Sequence, residues 1–347
     1  MTTLLTGAAG FLGRELADAL LRHGTQDLRL HVRRAPADGW LESLRERYPT
    51  ATISIVSANL CTPALLPAVV DGVDCIVHAA AGMRGATADM FANSVVGTRN
   101  LLEAAGARNV RRIILVSSFS VLKTDQVRWG GSVDEAVEVE QDGVAKGAYA
   151  FAKTMQERLF LKAQARYGFD WSIVRPGVIY GPGASALSPR VGLQALGFFF
   201  SLGRHSPLPL THVRNCADAI ALVAHGAPSG SVYHVVDDDV PTCYQYLNRY
   251  RRDVRPLRVI GVPYWALLLG SRTLAWYHRV SKGQLPQVLS PHAVRSMFRP
   301  IHYSNGALKS LGWRQPVHTA DALASYFRSI SPRSGERVPQ RFIAKSS

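Results

Sequence analysis

Tyr149 and Lys153 stand four residues apart in Tyr149-Ala-Phe-Ala-Lys153, one helical turn on a single face. In that arrangement an ammonium can lower a phenol from its usual pKa of about 10, and a phenol so tuned exchanges a proton with a carbonyl or alcohol near neutral pH. Far upstream, Gly7-Ala8-Ala9-Gly10-Phe11-Leu12-Gly13 follows a short apolar run and opens a stretch of helical spacing. Its glycines fall where a dinucleotide pyrophosphate would meet a helix N-terminus. Gly7 permits the tight turn, Gly10 a close approach of backbone to phosphate, and Gly13 close packing of helix on sheet. A bare Tyr-x-x-x-Lys is a weak pattern. With the glycine motif and with Val116-Ser117-Ser118 at a strand end, it predicts hydride and proton exchange at a carbonyl.

The second strand ends in Arg33 and Arg34 rather than an acid, which favours NADP(H) over NAD(H), since a cation accepts a 2′-phosphate. Asn59-Leu60 ends the third strand, where an amide can read an adenine edge. No metal is predicted: the histidines show no paired spacing, and Cys61, Cys75, Cys216 and Cys243 form neither a zinc motif nor a disulfide framework. Asp237-Asp238-Asp239 before Pro241 reads as a solvated turn.

The elements that must position these groups are visible in 347 residues that are 47% hydrophobic and 19% charged, enough for one large core or two adjacent ones. Apolar β-like runs at Thr3 to Thr6, Leu28 to Val32, Thr52 to Val56, Cys75 to Ala79, Ile113 to Ser117 and Trp171 to Arg175 alternate with helical patterns. This predicts an α/β fold, a Rossmann-type doubly wound parallel sheet with a smaller C-terminal substrate domain. The expected division is residues 1–178 for the dinucleotide, with a return near 211–226, then 179–330 mostly for substrate, and a basic tail at 331–347.

The sequence resembles the extended short-chain dehydrogenase/reductase family, which includes NAD-dependent epimerases and dehydratases and 3β-hydroxysteroid dehydrogenase-like enzymes. The likeness rests on Thr6 to Gly13, His78 to Ala81, Asn93 with Gly97 to Asn100, Val116 to Ser118, Tyr149 with Lys153, Arg175 to Gly183, and Thr211 to Ala219. It implies Tyr149 as general acid/base, Lys153 as its modulator and ribose ligand, Ser118 orienting the substrate oxygen, and Asn93 supporting the active-site backbone. It places the cofactor against Gly7, Gly10, Phe11, Leu12, Gly13, Ala79, Ala80, Ala81, Pro176, Gly177 and Val178, and implies a homodimer. Departures are Asn59 where the family usually has Asp, Arg214 where an acid is frequent, and Leu122-Lys123 where it has Tyr-Gly. The last weakens a sugar-nucleotide assignment.

Leu193, Leu196, Phe198, Phe199, Phe200 and Leu202 form an apolar stretch that serves either as a substrate wall or as the second domain's core. The expected reaction is therefore interconversion of a secondary alcohol and a ketone on an apolar, steroid-like, lipid or acyl substrate. The rivals are a nucleotide-sugar epimerase or dehydratase, with Arg190, Arg204 or Arg258 on a diphosphate, and a non-catalytic nucleotide-binding regulator. Net charge is +15, and residues 245–347 hold 17 Lys and Arg against Asp253, Asp321 and Glu336. That third fits an anionic membrane, an acidic carrier or substrate phosphates, and no nucleic-acid motif accompanies it. No secretion signal is read at the N-terminus, so a cytoplasmic protein is expected. The segment Pro263 to Lys282 reads as a helix over the substrate cleft, with an amphipathic membrane-interface helix as the alternative.

Overall fold

The structure, a computed structural model, describes residues 1–82, 86–141, 146–281 and 290–331. The six expected strands appear as Thr2–Thr6, Asp27–Val32, Thr52–Ser57, Cys75–His78, Arg112–Val116 and Asp170–Pro176. In the inner strands the Ile, Leu and Val residues are buried on both faces, as a parallel sheet covered by helices on each side requires, while the edge strand Thr52–Ser57 is half-buried. A seventh strand, Ser231–Val235, was not among those expected from the sequence. Across the sheet the order is Ser231–Val235, Asp170–Pro176, Arg112–Val116, Cys75–His78, Thr2–Thr6, Asp27–Val32, Thr52–Ser57, every pair parallel. The first strand thus lies between the second and the fourth, and the crevice at that reversal of order is where α/β sheets bind ligands.

Helices Phe11–Arg22 and Val213–Gly226 cover one face, with Leu16, Leu20, Cys216 and Ile220 in a shared core. Gly97–Ala107 and Ala148–Tyr167 cover the other, through Leu101, Leu102 and Phe160. The second lobe centres on helices Cys243–Asp253 and Thr319–Ile330, whose Tyr246, Tyr250, Tyr326 and Phe327 pack with Tyr180 and Leu208.

Two expectations change here. The apolar stretch forms no single wall: Phe199 joins the second-lobe core, Leu202 packs on Val294 and Phe298, and Leu196 is 91% exposed at a hairpin tip. The acidic run is a solvated turn only in part: Asp238 and Asp239 are exposed in a bend, but its first acid is not. Asp237 is buried, accepting hydrogen bonds from the His212 backbone at 3.0 Å, Asn215 Nδ2 at 2.9 Å and Tyr180 Oη at 3.2 Å. Burial lifts its pKa to about 6, against those donors. Asp238 pairs with Lys309 at 2.7 Å. Asp237 and Asp238 are fixed by partners far along the chain, which a local turn rule cannot anticipate.

Candidate active site

The glycine motif forms the turn from the first strand into Phe11–Arg22. Gly7 is left-handed at φ +74°, Gly10 N donates to Gly7 O at 2.9 Å, and a Cβ on Gly13 would stand 2.1 Å from Gly7 O. No side chain caps the helix, and its first turn carries no acid, so the amides of Phe11 and Leu12 open an anion site. A Cβ on Gly7 would lie 3.0 Å from Ala80, and Ala80 N donates to Thr6 Oγ1 at 3.2 Å, so Ala79 and Ala80 form the other lip of one groove. A dinucleotide fits this cradle, with Ala81 following on the same half-buried segment.

Arg33 and Arg34 are exposed at the end of the second strand. The acid that follows, Asp38, is engaged by Arg14 at 2.7 Å, which holds its carboxyl below the usual range. Asn59 Oδ1 accepts from Cys61 N at 3.0 Å in a local turn, and Leu60 is buried beside Gly97, its carbonyl accepting from Asn100 Nδ2 at 3.0 Å. Beyond the Asp170–Pro176 strand, Gly177 N donates to Val235 O at 2.9 Å and Val178 N to Pro209 O at 2.7 Å. A Cβ on Gly177 would sit 2.2 Å from Pro209 O, so Pro176, Gly177 and Val178 hold a crossing of backbones that only glycine allows.

Ser118, Tyr149 and Lys153 come together at the C-terminal ends of the strands. Ser118 follows the Arg112–Val116 strand in extended backbone, its Oγ accepting from Ser120 N at 3.2 Å. Its neighbour Ser117 is buried and bonded through its backbone to Val174 O at 2.7 Å. Burial raises the Tyr149 pKa above its ordinary value, and the nearby Ser118 hydroxyl opposes that rise. The expectation that Lys153 lowers the phenol is not met in this geometry. Lys153 Nζ is turned to Val116 O at 2.8 Å and Gln156 Oε1 at 2.8 Å, and burial brings its own pKa down to about 8.

Gln156 is the residue that the sequence reading missed. Its Nε2 donates to Thr98 Oγ1 at 2.8 Å, and Thr98 in turn donates to Ser94 O. Thr98 Oγ1 therefore accepts from His78 Nε2 at 2.8 Å, leaving His78 Nδ1 to accept from Thr6 Oγ1 at 2.7 Å. This assignment needs a neutral imidazole, and burial holds the His78 pKa at about 3. A buried chain of polar groups thus runs from Thr6, beside the glycine turn, to the Lys153 ammonium. The available signal was a polar residue on the inward face of the Ala148–Tyr167 helix, where Lys153, Gln156 and Glu157 are all buried. Glu157 closes that face with a bidentate pair to Arg175, at 3.0 and 2.9 Å.

Asn93 lies in a wide π turn, Ala92–Val96, its Nδ2 bonded to Asp89 O at 2.7 Å within its own helix. The loop between Ser118 and Tyr149 is pinned by His292, which meets Glu140 at 2.9 Å and Asp125 at 3.3 Å, while Lys146 pairs with Glu140 at 2.8 Å. Of the arginines weighed for a diphosphate, Arg204 lies over Tyr244 at 4.1 Å, Arg190 over Tyr303 at 6.0 Å, and Arg258 is exposed.

The model of the NAD dependent epimerase/dehydratase family matches residues 3–235. The chain belongs to this family. It is an enzyme of the extended short-chain dehydrogenase/reductase type. It is 29% identical over 241 residues to a 4-hydroxy-2-methyl-3-oxo-4-farnesyl-3,4-dihydroquinoline-1-oxide ketoreductase of Stigmatella aurantiaca, covering 68% of each chain. It is 31% identical over 253 residues to a dTDP-glucose 4,6-dehydratase of Streptomyces niveus, covering 68% of this chain and 72% of that one. Among solved structures, a dTDP-glucose 4,6-dehydratase of Streptomyces venezuelae with NAD bound superposes with a TM-score of 0.70, at 21% identity over 95% of this chain and 96% of that one. At that identity the last likeness shows the fold.

Proposed function

We propose that this member of the family interconverts a secondary alcohol and a ketone on a mainly apolar substrate, with Ser118, Tyr149 and Lys153 as its catalytic groups. The observation that carries the reading is Tyr149 one helical turn from buried Lys153, whose Nζ reaches the Val116 carbonyl at the strand end that runs on into Ser118, beside the glycine cradle. A bound nicotinamide supplies or accepts the hydride. In the reducing direction Tyr149 donates its proton to the substrate oxygen, which Ser118 orients, and a phenol held protonated by its surroundings is in the form that donates. Lys153 holds the nicotinamide ribose, and Asn93 supports the backbone around it.

The ketoreductase relative, whose name gives it a farnesyl-bearing substrate, supports the apolar substrate. Exposed Arg33 and Arg34 support NADP(H) over NAD(H). We further infer a homodimer through the helices that follow Asn93 and carry Tyr149, where Leu161 is exposed. The dTDP-glucose dehydratase relative keeps a second reading in view, a nucleotide-sugar epimerase or dehydratase that returns its hydride and holds NAD tightly.

Titration with NADPH and NADH, then single turnover against lipophilic ketones and nucleotide sugars, separates the readings. Net NADPH oxidation with a ketone, lost in Tyr149→Phe, is the expected result. Sugar conversion without net redox change replaces it by the second reading, and turnover undiminished in Tyr149→Phe refutes the site.

A further inference from the structure

We propose that the outer face of the Tyr264–Val280 helix, together with Trp129 beside its start, docks on the surface of an anionic lipid bilayer. The helix packs inward through Tyr264, Leu267 and Leu268, against Leu202, Val294 and Phe298, with Ser271 and Ala275 buried below them. An ordinary surface helix would turn polar groups outward. This one turns out Trp265, Leu269, Trp276 and Val280, which fall within one narrow arc at helical spacing and are 69%, 58%, 60% and 61% exposed. Trp129 is 60% exposed and meets Tyr264 edge-on at 5.3 Å, which extends the apolar patch across to the loop that leads from Ser118 to Tyr149.

Charge selects the occupant. Exposed Arg272 and Arg279 line one edge of the apolar arc, and exposed Arg128 adjoins Trp129. The sequence has no Asp or Glu from residue 254 to residue 320. Indole rings bridge the apolar and polar layers of a membrane surface, and guanidinium groups bind lipid phosphates in pairs of hydrogen bonds. A partner protein would need acids to meet these arginines and an apolar groove to accept three indoles, whereas an anionic bilayer offers both everywhere on its surface. Among the described residues no helix is long and apolar enough to cross a membrane, so the contact lies in the plane of the interface. Lys282, the last residue of the segment expected to form this helix, lies outside the described residues.

The inference stands apart from the oxidoreductase reading, and its test needs no substrate. The full chain is floated with vesicles of phosphatidylcholine alone and with about one lipid in three replaced by phosphatidylserine, and its tryptophan emission is recorded. The full chain is expected to float with the anionic vesicles, less so as salt is raised, with emission shifted to the blue. Trp265→Ser/Leu269→Ser/Trp276→Ser together should cut the bound fraction about tenfold or more, since interfacial binding scales with buried apolar area. Arg272→Gln/Arg279→Gln should abolish the preference for phosphatidylserine. All substituted side chains face outward, and an unchanged thermal melt shows that the fold is kept. No flotation, or equal flotation of the triple variant, overturns the proposal. So does light scattering that finds a dimer of the full chain and a monomer of the triple variant, which assigns the face to a second copy.

Discussion

Replacing Lys153 by Met should abolish turnover and at the same time change how stability depends on pH. A free lysine titrates near 10.4, and burial brings Lys153 to about 8. Below pH 8 both folded and unfolded chains carry the charge, and the fold bears a cost of roughly 3 kcal/mol for keeping it out of water. As pH rises from 8 toward the unfolded value, the folded chain sheds a proton that the unfolded chain still holds, so stability rises with pH. The wild type should gain on Lys153→Met by about 1 kcal/mol at pH 9 and by 2 to 3 kcal/mol, roughly, at pH 10. The variant also strands the Val116 carbonyl and Gln156 Oε1, but that loss does not depend on pH and leaves the slope intact. Urea unfolding of both proteins without cofactor, at matched ionic strength from pH 7 to 10, measures the difference. A difference that stays flat across that range, or that moves in favour of the variant, refutes the buried, charged lysine described here.

Gly13→Ala should destabilise the fold by at least about 2 kcal/mol and weaken dinucleotide binding, because its Cβ would meet the Gly7 carbonyl; a thermal melt and NADPH fluorescence test both halves. Arg33→Ser/Arg34→Ser should weaken NADPH by about tenfold and leave NADH nearly unchanged, as calorimetric titration can show. Asp237 is an acid whose folded pKa is raised to about 6, so the wild type is most stable below the unfolded value near 4 and loses stability as pH climbs through 6. Asp237→Asn should lack that loss, about 3 kcal/mol in all, when the two are compared by denaturant unfolding from pH 4 to 7.

What could be read from the sequence was what local spacing encodes. Six strands announced themselves as short runs rich in Ile, Leu and Val, and Gly7, Gly10 and Gly13 fall where a tight turn and a close helix demand them. Tyr149 and Lys153 were visible because four residues make a helical turn. Gln156 and His78 were not, because what makes them matter is that Thr98 lies between them, 58 and 20 residues away along the chain. Asp237 was misread for the same reason: its donors Tyr180, His212 and Asn215 precede it by 57, 25 and 22 residues. The Tyr264–Val280 segment was legible as a helix, but the composition of an apolar helix does not say which face its neighbours cover.

The strand Ser231–Val235 completes the main sheet only after the chain has left it, built the Gly192–Ala195 and Phe198–Ser201 hairpin, and returned through Val213–Gly226. A ribosome that has released only the first 178 residues therefore exposes the Asp170–Pro176 strand as a raw edge, and leaves the Phe11–Arg22 helix without the neighbour that covers Leu16 and Leu20. The glycine turn of the nucleotide cradle is encoded within the first thirteen residues, yet the helix that covers its own helix, Val213–Gly226, is made about two hundred residues later. Dissection of the gene after residue 178 should accordingly yield an aggregating fragment rather than a small nucleotide-binding protein.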